Sequence, residues 1–417
     1  MKERKQRSCG VKVSYRGNME RKQMEKVRLG DVCKIVSGST PKTNIEEYWN
    51  GDIIWITPAE LDDETCVIED SARKITRLGF DQTGLQLFPA GTVILSSRAP
   101  IGKVAIAGKE MCCNQGFKNL ICSEKIHNEY LYWFLKEKKE YLNLLGRGAT
   151  FKEISKTIVE NIEINLPCIQ EQKYISTLLR KNWNIIEEKK REIQLLDMLV
   201  ESRFSEMFRN EKKYMFMCDL CSMITDGTHQ PPVFIREGIP FIFVSNITGN
   251  KVTYETEKFV SNETYMELIK HTPIEIGDVL LSTVGSYGHA DVVKSDKKFL
   301  FQRHIAYLKP KREIVDSDYL HSALLASEAQ RQIEEGVKGI AQKTLNLSVV
   351  RKISIPVPDI DRQKEFSSFV KQITKLKLSI QKSLDETQLL FDSLMQKFFE
   401  SSFWRKLSIE RIYSRIL

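Results

Sequence analysis

"LPCIQEQKYISTLL" at Leu166–Leu179 returns as "VPDIDRQKEFSSFV" at Val357–Val370, displaced by 191 residues. The same order of signals extends outward from both copies. "PAGTVILSSRAPIGKVAI" (Pro89–Ile106) aligns with "EIGDVLLSTVGSYGHADV" (Glu275–Val292) at an offset of 186, and "CNQGFKNLIC" (Cys113–Cys122) with "LFQRHIAYLK" (Leu300–Lys309) at 187. Three segments in one order at nearly one spacing make the chain two diverged copies of a single unit.

Within each copy, short apolar and β-rich runs come first: Ile53–Thr57 and Val93–Ser96, then Pro240–Ser245 and Val279–Ser282. Gly and Pro interrupt them as loops would. A helix-like segment follows (Asn128–Leu145; Asp318–Glu334), then a short strand ending at proline (Ile162–Pro167; Ile353–Pro358). Each copy closes on a long stretch free of Pro and Gly, Gln170–Arg209 and Asp361–Phe399. In the first, Ile175, Leu179, Ile186, Ile193, Leu196, Val200 and Met207 keep a 4-3 spacing, broken at Asn182, Lys189 and Arg203. In the second, Phe366, Val370, Ile373, Ile380, Leu384, Phe391, Leu394 and Phe398 do the same, broken at Lys377 and Thr387. A sustained 3.5-residue period predicts two helices packed along their length. The alternative is two amphipathic helices lying separately on their own domains.

The expected fold is therefore α+β: two similar mixed α/β domains separated by two long antiparallel helices, a coiled-coil spacer, with a pseudo-twofold internal repeat. About 40 residues of helix span roughly 60 Å. The expected layout is a basic, disordered tail over 1–26, a first domain over 27–168, a helix over 169–210, a second domain over 211–358, a second helix over 359–400 and a tail over 401–417.

The chain of 417 residues, 41% hydrophobic and 28% charged, has the composition of a soluble globular protein with room for two or three cores. No apolar run approaches the roughly 18 residues of a membrane span, and the basic N-terminus lacks the apolar core of a secretory signal. A cytoplasmic location is expected. The net charge is +8, yet residues 1–28 hold ten Lys/Arg against three Glu, leaving the body nearly neutral. DNA binding by the body would need its cations gathered on one face. Nine cysteines at irregular spacing imply reduced thiols. Cys218-Asp-Leu-Cys221 is a lone CxxC, open to zinc or redox chemistry or, more simply, to small buried hydrophobes.

Catalytic signatures are scarce. No GxxxxGK[ST] loop is present, and Gln230-Pro231-Pro232-Val233 lacks the acid or amide and the aromatic that a DNA-adenine methyltransferase needs. Asp62-Asp63-Glu64 could form a nuclease metal cluster but equally a solvated loop. The six histidines are scattered, so no metal site is expected.

Several stretches resemble the specificity (S) subunits of type I restriction–modification systems. "SGSTPKTNIEEYWNGDIIWITPAEL" (Ser37–Leu61) is similar to the family's opening motif, and "SSRAPIGKVAIAGKEMCCNQGFKNL" (Ser96–Leu120) to its second. In the other half, "DGTHQPPVFIREGIPFIFVSNI" (Asp226–Ile247) resembles a variant of the opening motif. "GATFKEISKTIVENIEINLPCIQEQKYI" (Gly148–Ile175) and "GIAQKTLNLSVVRKISIPVPDIDRQKEF" (Gly339–Phe366) resemble the approach to each helix. The resemblance covers about residues 27–400.

It implies two target recognition domains, each reading one half of a split double-stranded DNA site, and a helix pair that sets the gap and docks two modification subunits. Chemistry would then belong to partners: methylation with S-adenosylmethionine to the modification subunit, ATP- and Mg2+-dependent translocation and cleavage to the restriction subunit. This chain itself would bind no cofactor. A nuclease with its own site, or a protein adaptor without DNA specificity, remain the rival readings. Residue chemistry nominates DNA contacts. Ser39, Thr40, Lys42, Lys103 and Lys118 suit phosphate; Ser97 and Arg98 flank a Pro-Ile-Gly turn; Asn114 and Gln115 carry amides that fit adenine. Thr228, His229, Gln230, Ser286, Tyr287, His289, Gln302, Arg303, His304 and Lys343 are their counterparts in the second half. Each of these could instead satisfy a loop or cap a helix. "SSRAPIG" and "STVGSYG" differ, with Gly285 in the second, so the expected target is asymmetric.

Overall fold

The structure is a computed structural model and describes residues 25–98, 100–148, 152–248, 252–339 and 343–399. Residues 1–24 of the expected N-terminal tail, with Cys9, and the expected C-terminal tail at 401–417 lie outside them, as does position 400 at the expected end of the second helix. Glu25 and Lys26, read as tail, already belong to a strand. The chain divides into two compact units, residues up to Ile186 with those from Glu386, and Glu187–Asp385.

Among the described residues, unit 1 contains ten strands: β1 Glu25–Arg28, β2 Cys33–Ser37, β3 Trp49–Ile56, β4 Val67–Ile68, β5 Lys74–Ile75, β6 Val93–Ser96, β7 Val104–Ala107, β8 Cys112–Cys113, β9 Phe117–Cys122 and β10 Glu163–Leu166. They form a five-stranded sheet in the order β2-β9-β6-β7-β4, a three-stranded sheet β5-β3-β8 and the pair β1-β10. Unit 2 contains β11 Tyr214–Phe216, β12 Cys221–Asp226, β13 Ile239–Ile242, β14 Phe259–Val260, β15 Val279–Ser282, β16 Ala290–Val292, β17 Leu300–Phe301, β18 Ile305–Pro310 and β19 Ser354–Pro356. Their sheets are β12-β18-β15-β16, β14-β13-β17 and β11-β19. Among the described residues, the second plan repeats the first without a counterpart of the short edge strand β4.

The segments expected to be helical are each split in two, Asn128–Glu137 with Lys139–Leu145 and Ser317–Leu325 with Ser327–Gly336. The long helices run over Ile169–Phe208 and Ile360–Phe399, 40 residues each. Both follow a proline that ends a strand pairing, because Pro cannot extend the ladder. Their pairing settles the choice left open by the sequence. In unit 2, Lys189 Nζ donates to Ser383 Oγ at 2.8 Å, Asp197 meets Lys377 in an ion pair, and the rings of Phe204 and Phe366 lie 5.4 Å apart. One number rises while the other falls, so the helices pack antiparallel. The two seam lysines find polar partners on the facing helix. In unit 1, Trp183 meets Phe391 at 5.5 Å, and both pack on Trp133.

Shared "QK" in the duplicated stretch has a structural cause. Gln172 is fully buried; its Oε1 accepts from His127 N at 2.7 Å, and its Nε2 donates to the carbonyls of Lys125 (3.0 Å) and Pro167 (2.9 Å). Gln363 repeats this with Asp316 N, Ile314 O and Pro358 O at 2.9, 3.1 and 2.7 Å. A buried amide with its hydrogen bonds satisfied staples the start of each long helix to its domain. Tyr130 and Tyr319 add a matched bond from their hydroxyls to the carbonyls of Asn165 and Pro356.

All described cysteines are free thiols; Cys221 is buried and Cys218 exposed. Among the described residues no helix is long and apolar enough to cross a membrane.

Candidate nucleic-acid interface

At the end of β2 the chain turns across the β8–β9 junction. A Cβ added to Gly38 would lie 2.0 Å from Cys113 O and 2.2 Å from Asn114 O, so only glycine permits this approach. The next residues are fixed one by one. Ser39 N donates to Cys113 O at 3.0 Å, and its carbonyl accepts from Trp55 Nε1 at 2.9 Å. Thr40 and Gln115 join through their side chains, and Lys42 O accepts from Trp49 Nε1 at 3.3 Å. Asn114 Oδ1 accepts from Gly116 N at 2.9 Å, which shapes the turn between β8 and β9. The nominated Ser39, Thr40, Asn114 and Gln115 therefore meet on one edge, with the Lys42 side chain exposed beside them.

The "SSRAPIG" loop joins the same edge. Ser97 is buried; its N–H donates to Gly116 O at 2.7 Å and its carbonyl accepts from Ile154 N at 2.9 Å. Lys118 is 6% exposed, and its Nζ reaches Ser97 Oγ at 3.3 Å and Glu153 Oε1 at 3.1 Å. Arg98 Nε donates to Glu153 Oε2 at 2.9 Å. Sequence reasoning missed Glu153, because its partners lie 55 and 35 residues away. Burial pushes its carboxyl up, but hydrogen bonds and charge from Lys118 and Arg98 outweigh this and hold it below its ordinary value. Lys103 is spent on structure: its ammonium binds the carbonyls of Pro58 (3.2 Å) and Leu61.

Since folding lowers the Glu153 pKa, its stabilising contribution is present above the ordinary carboxylate value and fades as pH falls through the lowered one. Glu153→Gln should therefore lower the thermal midpoint of unit 1 near neutral pH, with the gap to wild type closing below pH ~4. Tryptophan fluorescence reads this well, because all four described tryptophans sit in unit 1. A gap that stays constant with pH would mean the pair contributes nothing to stability.

Unit 2 builds the junction again. A Cβ on Gly227 would lie 2.2 Å from Phe301 O and 2.6 Å from Gln302 O, and Thr228 N donates to Phe301 O at 2.9 Å. This equates Phe301 with Cys113 and corrects the sequence alignment there by one residue, from 187 to 188. Arg303 N donates to Thr228 O at 3.1 Å, and Thr283 N to His304 O at 2.9 Å, as Ser97 does to Gly116. His229 Nε2 contacts Asp226 Oδ1 at 3.0 Å, and Gln230 is exposed. Arg303 Nε lies 3.4 Å from His304 Nε2, and burial, with the Arg303 charge, lowers the His304 pKa. Lys343 Nζ contacts the Tyr287 hydroxyl at 3.4 Å, its carbonyl accepts from Gly285 N, and Ser286 is exposed. The His289 N–H donates to Ser282 Oγ at 2.9 Å, the equivalent of Lys103 N to Ser96 Oγ. Thr283, Arg303, His304 and Thr344 line an open cleft of about 270 Å³.

The scaffold is shared while its side chains are not. Val284, Thr344 and Ala306 stand where Arg98, Glu153 and Lys118 stand in unit 1. Both edges offer amides, hydroxyls and cations, the donors suited to phosphate and base edges. The acidic stretch is engaged locally: Asp62 Oδ1 accepts from Glu64 N and Thr65 N, and Asp63 pairs with Lys139 at 2.6 Å. Among the described residues no group of three or more His, Cys, Asp or Glu could hold a metal ion.

Comparison with known proteins places this duplicated architecture. Residues 21–196 and 236–387 match the type I restriction modification DNA specificity domain. The chain is 29% identical over 398 residues to the type I restriction enzyme MjaIX specificity subunit of Methanocaldococcus jannaschii, covering 89% of this chain and 91% of that protein. The MjaVIII specificity subunit of the same organism is 22% identical over 376 residues, covering 84% and 86%. The crystal structure of the type I restriction–modification S subunit from M. genitalium shares the fold at a TM-score of 0.56 and 14% identity, covering 92% of this chain and 98% of that one. A chain from a study of complex assembly and conformational transition in a type I system shares it at 0.55 and 18% identity, covering 90% and 97%. With the family matched on both repeats over most of its length, the chain belongs to the type I restriction–modification DNA specificity family.

Proposed function

We infer that this chain is the sequence-reading subunit of a type I complex, with each unit's edge reading one half of an asymmetric bipartite DNA site. The observation that carries this is one loop junction, built twice around Gly38 and Gly227 and dressed with different side chains. A common frame suits a common duplex backbone, and different side chains suit different bases. The target recognition domains are assigned to 27–168 and 211–358, with spacer helices at 169–210 and 359–400. Ser39, Thr40, Lys42, Arg98, Asn114 and Gln115 face one half-site. Thr228, His229, Gln230, Ser286, Tyr287, Gln302, Arg303, His304 and Lys343 face the other. Ser97, Lys103, Lys118 and His289 position these loops. Methylation with S-adenosylmethionine, and ATP- and Mg2+-dependent cleavage, are carried by partner subunits in the cytoplasm.

Mapping methylated adenines in cells that carry the cognate modification subunit, with and without this chain, tests the reading. A split, asymmetric motif should appear only with the chain. Methylation independent of the chain would leave the protein adaptor as the better account.

Docking of two modification subunits is supported by a second duplication. Unit 1 exposes Ile185 with Leu389 and Leu390; unit 2 exposes Leu376 with Met198 and Leu199. These are the same helix positions, 191 residues apart. The Trp183–Phe391 contact brings Ile185 level with Leu389, and Asp197–Lys377 does the same for Met198 and Leu376. Exposed apolar residues recurring at matched positions suit two copies of one partner. Changing Leu389 and Leu390 together to lysine should reduce the assembly from two modification subunits per chain to one, as read by mass photometry. Retention of both would place docking elsewhere.

A further inference from the structure

The small sheets β5-β3-β8 and β14-β13-β17 carry a second pair of equivalent features, beside the two opening loops. In unit 1, Trp49 and Trp55 meet edge to face at 5.2 Å, and the Arg73 guanidinium lies 3.6 Å from the Trp49 ring centre. In unit 2, Phe234 and Phe241 meet edge to face at 5.3 Å, and Lys258 Nζ lies 5.4 Å from the Phe234 ring. The surrounding frame equates these positions. Gly51 and Gly238 each approach the carbonyl of the residue paired across the sheet, Ile75 and Val260. Thr76 and Ser261, the next residues, each cap a helix by accepting from the N–H three residues on. Arg73 and Lys258 then stand at the same place in the two copies, both exposed. Neither forms an ion pair among the described residues, whereas Lys74, Arg77, Arg98 and Lys118 of unit 1 each face a carboxylate.

We propose that Arg73 on Trp49 and Lys258 on Phe234 are a matched pair of DNA-phosphate contacts, one for each half-site, flanking the Ser39–Lys42 and Thr228–Gln230 loops. The inference rests on the DNA-reading assignment above. Two observations favour phosphate over base. The charge is kept between the copies while the shape of the cation is not, which suits a group common to every sequence. By contrast, Lys42, Arg98, Lys103 and Lys118 are replaced in unit 2 by uncharged residues or histidine, as side chains facing unlike bases or local structure would be. Placement favours DNA over a role confined to the fold. Trp49 holds the Lys42 carbonyl and Trp55 the Ser39 carbonyl through their indole N–H groups, so Arg73 sits on the ring that anchors the opening loop. Stacking on an aromatic face holds the guanidinium in place and leaves its N–H edges free to bind phosphate oxygens.

The test uses this chain assembled with its modification subunits, on a duplex carrying the motif that the wild-type complex methylates, across a salt series. Arg73→Ala and Lys258→Ala should each weaken binding roughly tenfold and make the log K against log salt slope shallower by about 0.9. The loss should be similar for specific and unrelated duplexes, because phosphate contacts carry no sequence. Arg73→Lys should recover most of the slope. A merely structural role would lower the melting temperature and leave the slope at the wild-type value, which would overturn the proposal, as would wild-type affinity in both alanine variants. If the wild-type complex itself shows no salt-dependent, motif-selective binding, the DNA-reading assignment fails first, and that outcome is distinct from a failure of Arg73 and Lys258 alone.

Discussion

Phe366→Ala is expected to destabilise unit 2 by about 3–5 kcal/mol. The ring is fully buried where the long helix Ile360–Phe399 meets its domain, with Phe204 at 5.4 Å, Phe208 at 5.6 Å and Tyr319 at 6.4 Å. Three of these four rings come from the two long helices and one from the short helix at Ser317–Leu325, so truncation opens a cavity among three elements. Rigid aromatic neighbours collapse poorly into such a void, which puts the cost at the upper end of the range. The four described tryptophans all lie in unit 1, which separates two observables. In a urea titration the far-UV circular dichroism of the variant should show an early transition absent from wild type. Tryptophan fluorescence should keep its main transition near the wild-type midpoint, as expected when a two-unit chain departs from two-state unfolding. Coincident, unshifted transitions by both probes would mean that this cluster does not hold unit 2 together.

The repeat and the long helices were legible because they rest on local rules. Forty residues without Pro or Gly and a 3.5-residue apolar period can be read from one chain. The partners that complete the seam could not. Lys189 and Lys377 looked like breaks in it, and only the facing helix supplies Ser383 and Asp197. The same limit governs the candidate interface. Its glycines, hydroxyls and amides stand in quotable motifs, but Glu153 neutralises Arg98 and Lys118 from a distant loop. Lys103 looked free for phosphate and is bound to two carbonyls. Arg73 belongs to no motif, and its position is set by a ring 24 residues earlier that only the β3–β5 pairing brings beneath it. Charge, in short, was visible residue by residue, and its compensation required the fold.

Gly38→Ala and Gly227→Ala carry the largest expected effect on recognition. At each position the added methyl would fall within 2.0–2.2 Å of a backbone carbonyl oxygen, Cys113 O or Phe301 O. No flexible side chain can swing away, so the strand end and the β8–β9 or β17–β18 turn must separate. Forced overpacking of this kind costs about 1–3 kcal/mol, occasionally more. That energy is concentrated on the bond from Ser39 N to Cys113 O, or from Thr228 N to Phe301 O, which positions the loop. The domain core beneath should survive, with Phe88, Phe117 and Ile94 packed together in unit 1 and Leu280, Phe299 and Tyr307 in unit 2, while the Phe301 ring, 2.6 Å from a methyl at position 227, must shift. Adenine methylation maps then separate the two halves of the protein. Gly38→Ala should relax or abolish selection of one half of the split motif and leave the other intact, and Gly227→Ala should do the reverse. Loss of both halves by either change would indicate global unfolding, which the fluorescence midpoint would reveal for Gly38→Ala and far-UV circular dichroism for Gly227→Ala. Intact selection in both variants would show that neither junction positions the residues that read DNA.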